Sequence, residues 1–292
     1  MPSSLNLDSY KQAIADSYDR RSSTYDEGEW RKLICEHLLS YSQVHKRQAV
    51  LDIGTGTGYL AIAVAKKVGS QGSVVGVDLS SKMLNQARSK VKEIKLSNIQ
   101  FQLADAEKLD YQDACFDYVL CANTFPWISD KETTLKSWYR FLKPGGRIAV
   151  HTPADTAYVG SVVLRRVLAT HNIELEPSNR LGSIEQCKEL FATAGFRNIE
   201  IKQEQHGRYI SFESASAYWK SIVEAPTALS LKISDDISQC SPTQLAEIKS
   251  EFEAALVTQQ TEEGIWDNLT TLYVLGQKPD VNQPSSYKDE SQ

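Results

Sequence analysis

The chain has 292 residues, enough for one large domain or two small ones around a buried core. Apolar residues make up 41% and charged residues 24%, the balance of an ordinary soluble globular protein. The formal net charge of -5, with no basic stripe or polybasic cluster, argues against a nucleic-acid backbone or an anionic membrane as partner.

Cys35, Cys115, Cys121, Cys187 and Cys240 are odd in number, widely spaced and free of any C-x-x-C, so free thiols are expected rather than a disulfide framework or a zinc site. The N-terminus has no apolar core of the kind a signal peptide needs. The longest wholly apolar run, residues 59–65, is too short to span a bilayer. A cytoplasmic protein is the expectation.

Residues 8–45 read as helical, with Ile14 and Tyr18 on one face and Leu33, Ile34 and Leu38 on another; the polar stretch 19–30 reads as a loop between them. An alternation of short β-rich runs and helices follows, with strands expected at 49–53, 73–78, 99–103, 116–122 and 146–151. Met83, Leu84, Ala87, Val91 and Ile94 make an apolar stripe behind a Ser80-Ser81 cap, and "SDKETTLKSWYRFLKPGG" is a helix stopped at Pro144-Gly145-Gly146. Strands alternating with helices imply right-handed βαβ units and a largely parallel sheet.

After residue 155 the pattern loosens. "SIEQCKELFATAGF" is a helix, with a capping box at Ser183 and Gln186 and a stop at Gly195. "NIEIKQEQHGRYISF" reads as one long strand, residues 213–267 as helical again, and "NLTTLYVLGQ" as a final strand. The expected organisation is one domain over 1–279: an N-terminal helical cap (1–45), an α/β core (46–212 and 268–279), a helical lid insertion (213–267) and a disordered tail (280–292).

The first strand runs into Gly54, Gly56 and Gly58, and the second ends in Asp78. A strand, a glycine turn and a helix put free N–H groups at a helix start, where a ligand can approach the main chain closely. An acid ending the next strand can accept two hydrogen bonds from a ribose diol. The ligand should therefore be a nucleoside with an extended attachment. A dinucleotide fingerprint, G-x-G-x-x-G/A, wants its last small residue where Tyr59 stands, and Asp52 before the first glycine suits an ammonium better than a pyrophosphate.

"LDIGTGTG" resembles motif I of the class I S-adenosylmethionine-dependent methyltransferases, and "VVGVDLSSKML" is similar to that family's second motif. "FQLADAEKLDYQDACFDYVLCANTFPW" resembles the third and fourth motifs, and "FLKPGGRIAV" the entry to the fifth strand. Within the family the likeness is to the group that includes quinone-biosynthesis and natural-product enzymes. The resemblance implies a Rossmann-like, seven-stranded, mostly parallel sheet with helices on both faces, with S-adenosyl-L-methionine as the cofactor.

Carried onto this chain, the resemblance assigns the methionine part to the main chain at Gly54, Gly56 and Gly58, and the ribose to Asp78. Leu79 or Met83 would flank the adenine, Asp105 and Ala106 would read its amino group, and Asn123 would lie under the methionine or the acceptor. Tyr25, with Tyr18 as alternate, would be the tyrosine of the N-terminal segment near the cofactor. Solvated or packing roles compete for Asp78, Met83, Asp105, Asn123 and Tyr25.

The implied reaction moves the methyl group by in-line displacement to oxygen, nitrogen or carbon of a small organic acceptor, without a metal. A carbon or hydroxyl acceptor can also need a base. His151, ending the fifth strand, is the candidate, against a structural reading; His37, His45, His171 and His206 have weaker placements. Phe125, Trp127, Tyr158 and Trp219 are candidate walls of the acceptor pocket, with ordinary core aromatics as the competing reading. Asn123-Thr124-Phe125-Pro126-Trp127 departs from the Asn/Asp-Pro-Pro-Tyr/Phe motif of enzymes that methylate the amino groups of DNA bases or glutamine. A dehydrogenase, a non-catalytic cofactor-binding protein and a macromolecular methyltransferase remain alternatives; acceptor identity and oligomeric state are open.

Overall fold

The computed structural model describes residues 5–27, 29–173, 182–224, 237 and 239–280. Its N-terminal part is two helices, α1 (Ser9–Arg21) and α2 (Glu29–Ser42), joined through a 3-10 turn at Tyr25–Glu27. The polar stretch read as a loop is thus partly helical. The side chain of Asp8 caps α1 by accepting the Lys11 N–H.

The expected alternation then appears as β1 (Ala49–Ile53), α3 (Tyr59–Val68), β2 (Ser73–Asp78), α4 (Ser81–Glu93), β3 (Ile99–Leu103), β4 (Phe116–Cys121), α5 (Lys131–Phe141) and β5 (Leu142–Pro153). Later come α6 (Val159–Thr170), α7 (Ile184–Thr193), β6 (Arg197–Gln205), β7 (Arg208–Ile210) and α8 (Phe212–Trp219). A π turn (Lys220–Glu224), α9 (Pro242–Val257), β8 (Gln260–Thr261), β9 (Gly264–Asp267) and β10 (Thr270–Gln277) close the described chain.

Seven strands form one sheet in the order β3-β2-β1-β4-β5-β10-β6. β1 pairs in parallel with β2 and β4, and β10 runs antiparallel to both β5 and β6. Strand order reverses between β1 and β4, which opens a crevice at their C-terminal ends, the usual ligand position in such sheets. Alternation along the strands sorts the core. Leu51, Ile53 and Val119 face a cluster with Trp138, Phe141 and Phe191, brought by α5 and α7. Val50 and Leu120 face the opposite cluster with Leu38 and Val64, brought by α2 and α3.

Three expectations change. The stretch after 155 contains α6, a helix whose buried face runs through Gly160, Val163, Leu164, Val167 and Leu168, opposite exposed Arg166 and Thr170. The long late strand breaks at His206-Gly207 into β6 of the large sheet and β7 of a small one, ordered β7-β9-β8. At Gly207 an added Cβ would lie 2.3 Å from the Trp266 ring, so the chain turns where that ring lies against its backbone. The segment 213–267 is therefore not all helical, because β8 and β9 occupy its end. Its apolar residues, Trp219, Phe252 and Ile265 among them, pack on α6 in a cluster of their own. The expected tail lies outside the described residues beyond Asp280.

Candidate functional site

The crevice is built first by backbone. Gly54 and Gly56 take φ of +66° and +55°, and Gly54 has no room for a side chain, since a Cβ there would fall 1.8 Å from Thr124 Oγ1. At Gly56 the nearest atom to an added Cβ is Tyr25 Cε1 at 3.8 Å, so its left-handed backbone faces open space. The Gly56 N–H donates to Asp78 Oδ2 at 2.8 Å, and the Ser80 N–H donates to Asp78 Oδ1 at 2.8 Å. Two main-chain donors thus fix the carboxylate at the end of β2.

Burial is the main force on the acids here. It pushes Asp78 up to about 6, against the hydrogen bonds from Ser80 and Gly56. Asp52, only 1% exposed, is pushed up to about 7, again by burial first and also by the charge of Asp78. Its Oδ2 has no partner among the described residues. A buried carboxyl oxygen without a donor is costly unless the group carries a proton or meets a cation.

An open crevice lies over these groups. Its floor includes Gly54, Gly56, Asp78, Leu79, Asp105 and Ala106; Ile14, Tyr18, Tyr25 and Trp127 close it from above. The Tyr18 ring stands edge-on to Tyr25 and Trp127, with centroids 5.9 Å and 6.1 Å away. An adjoining lobe holds Arg31, Lys32, Cys35 and Asp52. Tyr25, Gly54, Gly56 and Asn123 line both lobes, so the tyrosine stands at their junction. The Arg31 guanidinium lies 4.5 Å from the Tyr25 ring centroid, a cation–π contact. Burial raises the Tyr25 phenol well above its ordinary range, so it stays protonated at neutral pH.

The structure brings together ten of the candidates: Tyr25, Asp52, Gly54, Gly56, Asp78, Leu79, Asp105, Ala106, Asn123 and Trp127. Others lie elsewhere. Gly58 opens α3 at φ +83°, where a Cβ would meet Ala87 at 3.0 Å and Phe101 at 3.2 Å, so it serves packing. Met83 is fully buried on α4. Phe125 is core, 6.1 Å from Trp138 and 6.3 Å from Phe191. Tyr158 is the N-cap of α6, and Trp219 packs against Phe252 with its indole N–H on Glu224.

His151 is also outside the cavity. It is fully buried, 5.2 Å from the Tyr273 ring, and neither ring nitrogen has a partner among the described residues. Burial, then the neighbouring His206, lowers it to about 3, so the imidazole is neutral. The expected base is a core residue because its position in β5 turns it to the α2 side of the sheet, under Tyr273, rather than over the crevice. None of the described residues form a group of three or more His, Cys, Asp or Glu suited to a metal ion. No described helix is long and apolar enough to cross a membrane.

Lys11, Arg31 and Lys32 were not anticipated from the sequence. Lys11 did leave a signal: it shares the α1 face of Ile14 and Tyr18, at i, i+3 and i+7, where a lysine interrupts an apolar stripe. Arg31 and Lys32 left none, since a basic pair at the start of an amphipathic helix is common.

A strand-end glycine turn, a fixed carboxylate on the neighbouring strand and a crevice at the sheet's reversal point define a nucleoside-binding α/β protein. A methyltransferase domain model matches residues 44–180. The demethylmenaquinone methyltransferase of Listeria welshimeri is 36% identical over 141 residues, which is 47% of this chain and 58% of that protein. The aklanonic acid methyltransferase DauC of Streptomyces sp. (strain C5) is 35% identical over 151 residues, 51% of this chain and 69% of that protein. Among solved structures, phosphoethanolamine N-methyltransferase 2 of Haemonchus contortus superposes with a TM-score of 0.58 at 21% identity, covering 94% of this chain and 61% of that one. The YcgJ protein of Bacillus subtilis superposes with a TM-score of 0.56 at 19% identity, covering 85% and 99%. The chain belongs to the class I S-adenosylmethionine-dependent methyltransferases. It spans 58% of the length of its Listeria relative, and these structural likenesses speak to the fold alone.

Proposed function

We propose that this chain binds S-adenosyl-L-methionine in the two-lobed crevice and transfers its methyl group to a small organic acceptor. The observation that carries the reading is the pair of buried carboxyls around the glycine turn. Asp78 is fixed by two main-chain donors, and Asp52 keeps one oxygen free in the second lobe.

The residues fit that group in chemistry and in order. Asp78 would accept the ribose hydroxyls, with Leu79 and Ala106 against the adenine and Asp105 toward its amino edge. Asp52 would receive the ammonium of the methionine part, while Arg31 and Lys32 in the same lobe would take its carboxylate. The main chain at Gly54 and Gly56 allows close approach, and Asn123, at φ +58°, borders both lobes. When bound, the cofactor supplies a methyl group activated by a positive sulfur. Ile14, Tyr18, Tyr25 and Trp127 exclude water from that end of the crevice, which favours displacement over hydration of the acceptor's lone pair.

The acceptor atom remains oxygen, nitrogen or carbon. A small molecule is favoured by the aromatic enclosure of the crevice and by relatives named for demethylmenaquinone and aklanonic acid. Among the described residues no histidine lines the crevice, so we assign no base. We also retain 213–267 as a lid in the proposal, together with α6, on which it packs. Calorimetry with S-adenosylhomocysteine tests the cofactor, and a screen of phenols, quinones and amines with methyl-labelled cofactor tests transfer. Absence of binding heat with folded protein defeats the reading; binding without transfer to any acceptor leaves a cofactor-binding protein.

A further inference from the structure

Helix α1 carries two charged side chains tied to the carboxyls proposed to read the nucleoside, Lys11 directly and Asp19 through Ser80. Lys11 is buried, and its ammonium donates to Asp105 Oδ1 at 2.7 Å while also pairing with Glu107. Eight residues on, roughly 12 Å along the helix axis, Asp19 accepts the Ser80 hydroxyl and, at 3.1 Å, the Lys82 N–H. Ser80 is the residue whose own N–H holds Asp78.

Burying a lysine is unfavourable unless the charge is paired, so position 11 answers to more than packing. The bonds on Asp105 show what the pairing does. Oδ1 takes both the Lys11 ammonium and, at 3.0 Å, the Glu107 N–H. Among the described residues Oδ2 accepts no hydrogen bond, and Asp105 lines the cavity. Two donors on one oxygen fix the rotation of the carboxylate and leave the other oxygen for a donor arriving in the crevice.

We propose that Lys11 is a positioning residue for base recognition: by holding Oδ1 it turns Oδ2 toward the exocyclic amine of the adenine. This rests on reading the crevice as the S-adenosylmethionine site. One ammonium between the carboxylates of Asp105 and Glu107 leaves the trio one net negative charge. That charge attracts an amine donor and repels a carbonyl oxygen at the same place. Selectivity for adenine over a 6-oxo base then depends on the docking of α1, a helix outside the glycine and strand-end motifs.

The test compares S-adenosylhomocysteine with its deaminated, 6-oxo analogue by calorimetry. Wild-type protein is expected to favour the amino compound by at least about tenfold, the usual consequence of leaving a buried acceptor opposed rather than paired. Lys11→Met should reduce that ratio to about twofold or less, as an unanchored Asp105 no longer discriminates. Asp19→Ala removes the contacts to Ser80 and Lys82 at the far end of α1 and leaves Lys11 on Asp105, so it should weaken both ligands through the Asp78 end and keep the wild-type ratio. A wild-type ratio in Lys11→Met overturns the proposal. Should that variant not fold, Lys11→Leu also removes the donor to Oδ1, and an undiminished ratio there overturns it equally. Wild-type protein that binds neither compound refutes the cofactor reading itself, whereas equal binding of both refutes only base reading by Asp105 and, with it, the role of Lys11.

Discussion

The main-chain N–H of Gly56 donates to the carboxylate of Asp78 at 2.8 Å, tying the glycine turn to the end of the second strand. The turn and the carboxylate are therefore one unit, and a change at either should be felt at both. Asp78→Ala removes the two acceptors proposed for the ribose and frees the Gly56 and Ser80 N–H groups. Hydrogen bonds to a charged group are worth about 1.5–3 kcal/mol each, so affinity for S-adenosylhomocysteine should fall by about 100-fold or more. Calorimetry on protein with unaltered far-ultraviolet circular dichroism measures it; a loss under threefold would show that Asp78 does not hold the ligand.

The two raised carboxyls make a prediction about pH. Asp52 lies at about 7 and Asp78 at about 6, both above the ordinary aspartate value because of burial. The folded protein therefore binds more protons than the unfolded chain between about pH 4 and 7, and these groups weaken the ligand-free fold as pH rises through that window. A ligand bearing an ammonium and a sulfonium favours the ionised forms. Its binding should release protons at pH 6 to 6.5, and its affinity should rise with pH up to about 7 and then level. Heats of binding measured in two buffers of different ionisation enthalpy report the release directly. Identical heats in both would refute the assignment of these acids to the ligand.

Much of the α/β half can be read from the residues alone, because short continuous apolar runs such as Ala49–Ile53 and Ser73–Asp78 are buried on both faces and bounded by glycine or a cap. The capping box at Ser183 and Gln186 is local chemistry, and the structure has both of its hydrogen bonds. What escapes the sequence depends on distant partners. The break at Gly207 answers to Trp266, some sixty positions later, and no local pattern announces it. α6 has a buried face at Gly160, Val163, Leu164, Val167 and Leu168, but it opens on a valine and a glycine with no side-chain cap, so its start carries no helix signal. In the site, the glycines and strand-end acids follow from position in a βαβ unit; Lys11 shows only as a lysine on the apolar face of Ile14 and Tyr18, and Arg31 arrives through the docking of a helix whose placement no spacing encodes.

His151 should matter to stability rather than to turnover. It is buried and neutral, lowered to about 3 by burial and by His206. A histidine depressed below its unfolded value contributes stability that is complete above about pH 6.5 and is lost as pH falls toward 3, since the unfolded chain takes up the proton first. His151→Leu removes a ring whose nitrogens lack partners and removes that proton uptake. We expect the variant to be at least as stable at neutral pH, within about 1 kcal/mol of wild type, and to lose less of its melting temperature between pH 7 and pH 5. Cofactor affinity should stay within about twofold, the ordinary scatter for a change outside a binding site. A tenfold loss of turnover at unchanged affinity and stability would instead return His151 to the mechanism.

Gly54 and Gly69 separate backbone strain from steric exclusion. Both have positive φ, +66° and +73°, but a Cβ on Gly54 would meet Thr124 Oγ1 at 1.8 Å, while Gly69 has nothing within 4 Å. Gly69 has ψ 178°, a backbone region that L-residues hardly enter, so Gly69→Ala should cost about 1–3 kcal/mol from backbone strain alone. Gly54→Ala should exceed it by about 1–3 kcal/mol, as overpacking adds to strain. Thr124→Ala in the Gly54→Ala background removes the Oγ1 contact and should recover part of the excess, a coupling that a double-mutant cycle in urea measures. Because Thr124 lies beside Asn123 at the junction of the two lobes, the single Gly54→Ala change should also weaken S-adenosylhomocysteine more than Gly69→Ala does. Equal losses of stability and affinity from the two glycine changes would mean that Thr124 yields freely and that the turn, not its neighbour, sets the requirement.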